Sequence, residues 1–207
     1  MLQHLNIEQF TTQSGVAQDL KLSYQVFGKP LHTAPIILVN HALTGNSNVA
    51  GKDGWWSDLI GEGKCIDTEK YTILSFNIPG NGFDGFIIEN YKDFVAGDIA
   101  RIFLWGLKEL EIDKLFAIIG GSLGGGIAWE MMAINPKITE HLIPVASDWK
   151  STDWLIANCQ IQEQFLVNSK QPVHDARMHA MLCYRTPESF KERFKRSTNE
   201  ELKVFNV

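Results

Sequence analysis

A serine set among glycines, Gly120-Gly121-Ser122-Leu123-Gly124, is where this chain could do chemistry. A serine oxygen attacks an acyl carbon when it stands clear of the backbone, a base takes its proton and fixed donors meet the oxyanion. The flanks suit that task. The apolar run from Leu115 to Ile119 reads as a buried parallel strand. A helix-forming stretch from Leu123 to Asn135 follows, stopped by Pro136. Strand, sharp glycine turn and helix together are the context a Gly-x-Ser-x-Gly nucleophile elbow needs. At the helix N-terminus, free N–H groups and the helix dipole favour a developing negative charge.

The backbone N–H of Leu123 is one expected oxyanion donor. The other comes from the loop His41-Ala42-Leu43-Thr44-Gly45, with the N–H of Leu43 the best placed. His41 is read as holding that loop rather than as a catalytic group. The base is harder to find. In this architecture the chain order is serine, acid, histidine. After Ser122 the histidines are His141, His174 and His179. His141 begins a strand and so falls at the wrong end of the sheet. His174 and His179 lie in a helical segment, where a sheet-borne acid cannot hold them. Asp148 could orient a histidine, or cap the helix starting near Ser151. The expectation is that the triad aspartate and histidine are not present in this chain, which reads as the front part of a larger protein, its final strands absent.

The positioning elements follow from the pattern. Strands are expected at Leu20 to Phe27, Pro35 to Val39, Tyr71 to Asn77, Leu115 to Ile119 and His141 to Ala146. A helix from about Tyr91 to Leu110 carries Val95, Ile99, Ile102 and Phe103 on one face. Alternating strands and helices imply an α/β fold with a doubly wound, mostly parallel sheet over 1–150. His41, Pro79-Gly80 and Ser122 then sit together at strand C-terminal ends. From Ser151 the texture is helical, over Trp154 to Val167, Asp175 to Tyr184 and Pro187 to Arg196, as in a helical lid over 151–207 inserted after the sixth strand. The loop Thr44 to Asp67 carries Trp55-Trp56, whose apolar bulk argues that it packs down as an anchor rather than walling a pocket.

Bulk properties narrow the function class. At 207 residues and 44% hydrophobic composition the chain supports a true core. A net charge of −5 argues against nucleic acid as a partner. No stretch is apolar enough to span a bilayer, and no secretory signal opens the chain, so a cytoplasmic location is expected. Cys65, Cys159 and Cys183 read as free thiols, with no metal site.

These residues resemble the homoserine O-acetyltransferases of the α/β-hydrolase fold. The likeness runs through Asn40-His41-Ala42-Leu43-Thr44-Gly45, Gly54-Trp55-Trp56, Leu59-Ile60-Gly61, Ile66-Asp67-Thr68 and Gly120-Gly121-Ser122-Leu123-Gly124-Gly125. It continues in Ala176-Arg177, Leu182-Cys183-Tyr184-Arg185, Glu188-Ser189-Phe190 and Arg193-Phe194. The resemblance implies a ping-pong acyl transfer. Ser122 takes the acetyl group of acetyl-CoA, a substrate rather than a bound cofactor, and passes it to the hydroxyl of L-homoserine on the route to methionine. It implies that Arg177 binds the amino-acid carboxylate, that Tyr184 lines the same pocket, and that the lid helices form a homodimer. Two positions depart from the family: Leu123 stands where methionine is usual, and the loop Pro79 to Gly85 is shorter. A homoserine O-succinyltransferase, a serine O-acyltransferase, a hydrolase on the same scaffold, or a non-catalytic binding protein stay open as alternatives.

Overall fold

A computed structural model describes residues 1–201 and 203–205. The chain forms two compact units, Met1–Lys150 and Ser151–Val207.

The first unit is built on a six-stranded sheet. Its strands are β1 (Gln3–Thr11), β2 (Ala17–Gly28), β3 (Ile36–Asn40), β6 (Thr72–Phe76), β7 (Leu115–Gly121) and β8 (Thr139–Val145). Two short strands, β4 (Ile60–Gly61) and β5 (Ile66–Asp67), make a separate parallel pair. The order across the main sheet is β1-β2-β6-β3-β7-β8. β1 pairs antiparallel with β2, and β2 antiparallel with β6. From β6 to β8 all pairings are parallel. The chain therefore reverses strand order around β3, and loops from β3 and β7 leave side by side, where α/β sheets place their sites.

Strand alternation splits the core in two. Leu38, Leu74 and Ile118 join Leu22, Phe76, Ile102, Phe103, Ile127 and Met131 on one face. That face is covered by α1 (Ala96–Glu109) and α2 (Leu123–Ile134). Ile37, Val39, Ile73, Ala117 and Ile119 point to the other face. There Val49, Ala50, Ile60 and Ile66 cover them, with Trp56 packed alongside. The loop between β3 and β6 thus stands in for a helix. The two tryptophans part company: Trp56 packs on the core as expected of an anchor, while Trp55 is exposed, tilted against Trp56 at 4.6 Å, with its Nε1 donating to Asn46 O at 2.8 Å.

The helix expected from Tyr91 starts later, at Ala96. Residues Tyr91–Asp93 make a single tight turn, and Phe94 is extended. Asp98, wholly buried, fixes the start by accepting from Val95 N (3.1 Å) and from Gln13 N (2.9 Å). Val95 consequently lies outside the helix and half exposed.

The second unit holds α3 (Asp153–Asn168), α4 (Pro172–Tyr184), α5 (Pro187–Phe194) and a two-strand ribbon, β9 (Thr198–Asn199) with β10 (Val204–Phe205). Thr152 caps α3 by accepting from Leu155 N, and Thr186 caps α5 by accepting from Ser189 N. Asp148 is not the cap: its Oδ1 accepts from Trp149 N, next to it in the chain. Helices α3 and α4 meet through Phe165 and His179, ring centroids 5.6 Å apart, and through Gln162 and His179 Nδ1 at 2.8 Å.

Candidate active site

β7 runs into the turn at Ser122, whose φ of 51° and ψ of −119° are rare for a residue with a Cβ. Such a conformation costs about 1–3 kcal/mol and persists only where the surroundings over-determine it. The surroundings here do so. Ser122 N donates to Val145 O of β8 at 2.9 Å, and Ser122 O accepts from Gly125 N (3.0 Å) and Gly126 N (3.1 Å). Close backbone approach explains two of the glycines. A Cβ on Gly124 would lie 2.3 Å from Asn40 O, and one on Gly120 would lie 2.3 Å from Gly124 O. The start of α2 is thereby pressed against the end of β3, and Asn40 Nδ2 adds a donor to Gly124 O at 3.3 Å. Ser122 itself is exposed. Leu123 opens α2, so its N–H is one of the donors a helix leaves without an intrahelical acceptor.

The loop after β3 lies beside this turn, because β3 pairs with β7 through Asn40 and Gly120. Gly45 N donates to Ala42 O at 2.9 Å, closing a turn around Leu43, which is 74% exposed. His41 is buried and fully engaged. Its Nδ1 donates to Ala42 O at 2.7 Å, and its Nε2 accepts from Ile78 N at 3.0 Å. That pattern requires the neutral ring with its proton on Nδ1. Burial pushes its pKa below the ordinary value, and the bond to Ala42 O only partly offsets this. The ring ties the β3 loop to the β6 loop.

The structure therefore brings Ser122, Leu123 and the Leu43 loop to the ends of adjacent strands. Arg177 and Tyr184 lie in the second unit, both exposed and seven positions apart on α4, hence on nearly one face of it. A cavity of about 330 Å³ in that unit is lined by Phe165, Asp175, Met178, His179, Leu182 and Phe190 among others, and involves neither of them.

The three histidines after Ser122 have other partners. His141 pairs in register with Ala117 and packs edge-on against Phe116 at 4.9 Å. It lies four residues before Val145, or roughly 13 Å back along β8. His174 pairs with Asp175 at 2.9 Å. Among the described residues of Met1–Lys150 no side chain is hydrogen-bonded to the Ser122 hydroxyl, and among all described residues no group of three or more metal-ligating side chains forms. The three cysteines are exposed and unpaired.

A buried polar knot that no local sequence signal marks lies beneath the Leu43 loop. Asn77, in the turn after β6, accepts from Ser47 N at 2.7 Å and donates to Ser23 Oγ at 2.8 Å and Ser47 Oγ at 3.0 Å. Ser47 Oγ in turn donates to Gln25 Oε1 at 2.8 Å. An asparagine two residues before a Pro-Gly reads locally as a turn residue, and its partners are 30 and 54 residues away.

The chain is similar to known proteins in sequence and fold. Homoserine O-acetyltransferase of Chloroherpeton thalassium is 32% identical over 220 residues, covering 93% of this chain and 57% of that protein. The crystal structure of homoserine O-acetyltransferase from Staphylococcus aureus superposes with a TM-score of 0.79 at 30% identity, covering 94% of this chain and 61% of that one. An acetylester hydrolase from Corynebacterium glutamicum shares the fold, with a TM-score of 0.79 at 20% identity over 97% of this chain and 64% of that one. The chain thus spans somewhat under two thirds of the length of these relatives. Residues 35–162, more than half of the chain, match the alpha/beta hydrolase fold family, and the chain belongs to that family.

Proposed function

We propose that the chain carries the acyl-accepting half of an O-acyltransferase, moving acetyl from acetyl-CoA to the side-chain hydroxyl of L-homoserine. The observation that supports this best is Ser122, exposed on a strained turn at the N-terminus of α2, in a chain similar to homoserine O-acetyltransferases. The Ser122 oxygen bonds to the thioester carbon while the N–H groups of Leu43 and Leu123 hold the oxyanion. The C–S bond then breaks, and the thiolate of CoA leaves with a proton. In the second half-reaction the homoserine hydroxyl attacks the acetyl-serine ester, gives up its proton, and the serine hydroxyl is restored. Arg177 is assigned to the homoserine carboxylate, since a planar guanidinium offers two parallel N–H bonds to it. Tyr184 lines the same pocket from the same face of α4.

Within Met1–Lys150 no described side chain is hydrogen-bonded to the Ser122 hydroxyl, so acetylation by this chain is expected to be slow, by roughly 10⁴-fold against a complete triad. The test is mass spectrometry of the 207-residue chain quenched during incubation with acetyl-CoA. Acetyl on Ser122, absent from Ser122→Ala, is the expected result. Label on another residue refutes the nucleophile. A faster reaction with succinyl-CoA than with acetyl-CoA refutes the donor. Arg177→Lys should weaken homoserine binding by about tenfold in calorimetry and leave CoA binding alone. Equal losses would remove Arg177 from the amino-acid site.

A further inference from the structure

We infer that Asn77 is a positioning residue for the oxyanion, acting through the loop that carries Leu43. The inference rests on the acyl-serine reading above, and its test separates the two. The loop from His41 to Ser47 is a poor candidate for self-support. Leu43 is three-quarters exposed, and the one backbone hydrogen bond within residues 41–46 joins Gly45 N to Ala42 O. Yet an oxyanion donor is useful only when it is fixed before the charge develops. What fixes it is the short segment that follows β6, residues 77–81.

That segment grips the loop at both ends. At the near end Ile78 N donates to His41 Nε2 at 3.0 Å. At the far end Asn77 Oδ1 accepts from Ser47 N at 2.7 Å, and Asn77 Nδ2 donates to Ser47 Oγ at 3.0 Å. Leu43 lies between the two grips. Asn81 adds a third contact, donating to Gly45 O at 3.5 Å and to Asn77 Oδ1 at 3.3 Å. Asn77 is itself locked: it is 1% exposed, its N–H donates to Ser23 O at 2.8 Å, and its amide donates to Ser23 Oγ on β2. A carboxamide is the side chain that can do this, because it accepts from one backbone N–H while donating to two hydroxyls. Asn77 touches neither Ser122 nor a donor to the oxyanion. Its effect reaches the reaction only through where it holds Leu43.

The experiment compares Asn77→Ala with the unaltered 207-residue chain in single-turnover acetylation by acetyl-CoA, together with amide hydrogen exchange. Loss of one oxyanion donor costs about 100-fold or more, so Asn77→Ala should slow acetylation by that order while the dissociation constant for acetyl-CoA moves less than about threefold. The Gly45 amide should exchange at least about tenfold faster, with the amides of β7 and α2 unchanged. Asn77→Asp keeps the acceptor for Ser47 N and should recover part of the rate. Acetylation at the unaltered rate, an equal change in rate and donor binding, or an unchanged Gly45 amide would each overturn the inference. If the unaltered chain forms no acetyl-Ser122, the acyl-serine reading fails, and the Gly45 amide alone decides whether Asn77 holds the loop. If Asn77→Ala does not fold, Ser47→Ala serves. It deletes only the hydroxyl contacts and should slow acetylation about threefold with donor binding intact; no slowing would overturn the assignment.

Discussion

The two units of this chain bury their residues very differently. In Met1–Lys150 the side chains of Leu38, Phe76, Phe103, Ile118 and Met131 are 0% exposed, and Phe76 and Phe103 pack at 5.2 Å. In Ser151–Val207, among the described residues, only Ala176 is buried, while Trp154, Val167 and Tyr184 are 79%, 78% and 88% exposed. The first unit makes its own core and with it the geometry around Ser122. The second carries Arg177 and Tyr184, the residues proposed for the amino-acid site, on helices that bury little among themselves. A nucleophile held by backbone contacts is placed by the sheet that makes them, whereas an arginine on a lightly buried helix is placed only as well as that helix is held.

The largest expected effect tests that contrast directly. Phe103→Ala removes a fully buried ring and should cost about 3–5 kcal/mol of stability in urea denaturation. Leu182→Ala on α4, where the side chain is 62% exposed, should change stability by less than about 0.5 kcal/mol. Equal costs would show that the helical unit shares in the cooperative core.

Next comes a change at the elbow. Gly124→Ala places a methyl 2.3 Å from Asn40 O, which is backbone and cannot swing aside. The start of α2 must then shift away from β3, carrying Ser122 and the Leu123 N–H with it. Displacement of reacting groups by about an ångström costs about 100-fold in rate, so acetylation at Ser122 should fall by that order. An unchanged rate would mean that the elbow does not depend on this contact.

How much of this could be read beforehand follows the range of the interactions. The elbow was legible because its signals are local: five apolar residues, glycines at fixed spacing, then a helix stopped by proline. The strands β3 and β6 were legible too, being buried throughout as central strands of a parallel sheet. β1 was not. Its alternation breaks where the register slips between Ile7 and Phe10, with Gln9 at a φ of 49°, so no clean period survives. The two-residue pairs β4–β5 and β9–β10 are too short to leave any pattern. The Asn77 knot and the bond from Gln13 N to Asp98 were invisible for a different reason: the partners are distant in sequence, and a polar residue gives no sign of which remote donor it will meet.

The pH dependence of stability sharpens the first unit's side of the comparison. His41 is held neutral, its pKa below 6.5 because burial disfavours the charged ring. The unfolded chain takes up that proton as pH falls through about 6.5, and the folded chain does not, so stability is full above this range and declines below it. The slope from this one group is at most about 1.4 kcal/mol per pH unit. The carboxylates with shifted pKa, Asp19, Asp67, Glu140 and Asp175, are all shifted downward, so they act only at lower pH. Denaturation between pH 6.5 and 5 should therefore show the His41 slope, and His41→Gln should flatten it. A slope unchanged by that substitution would place the titrating group elsewhere.

The smallest effect is also the cleanest control on the elbow. Gly126 follows Gly124 and Gly125 in α2, yet a Cβ there meets nothing within 4 Å and its φ is not positive. Alanine at this position fills empty space and reduces the freedom of the unfolded chain, which should stabilise the protein by about 0.5–1 kcal/mol. Gly125→Ala, one residue earlier, drives a methyl to 2.5 Å from Ser147 Cβ and 2.9 Å from Gly120 O and should destabilise instead. Opposite signs at adjacent glycines, read as melting temperatures, would show that the turn is fitted contact by contact rather than merely flexible. The same sign at both would mean that glycine serves here for mobility, and the close approach of α2 to its neighbours would lose its claim to position the serine.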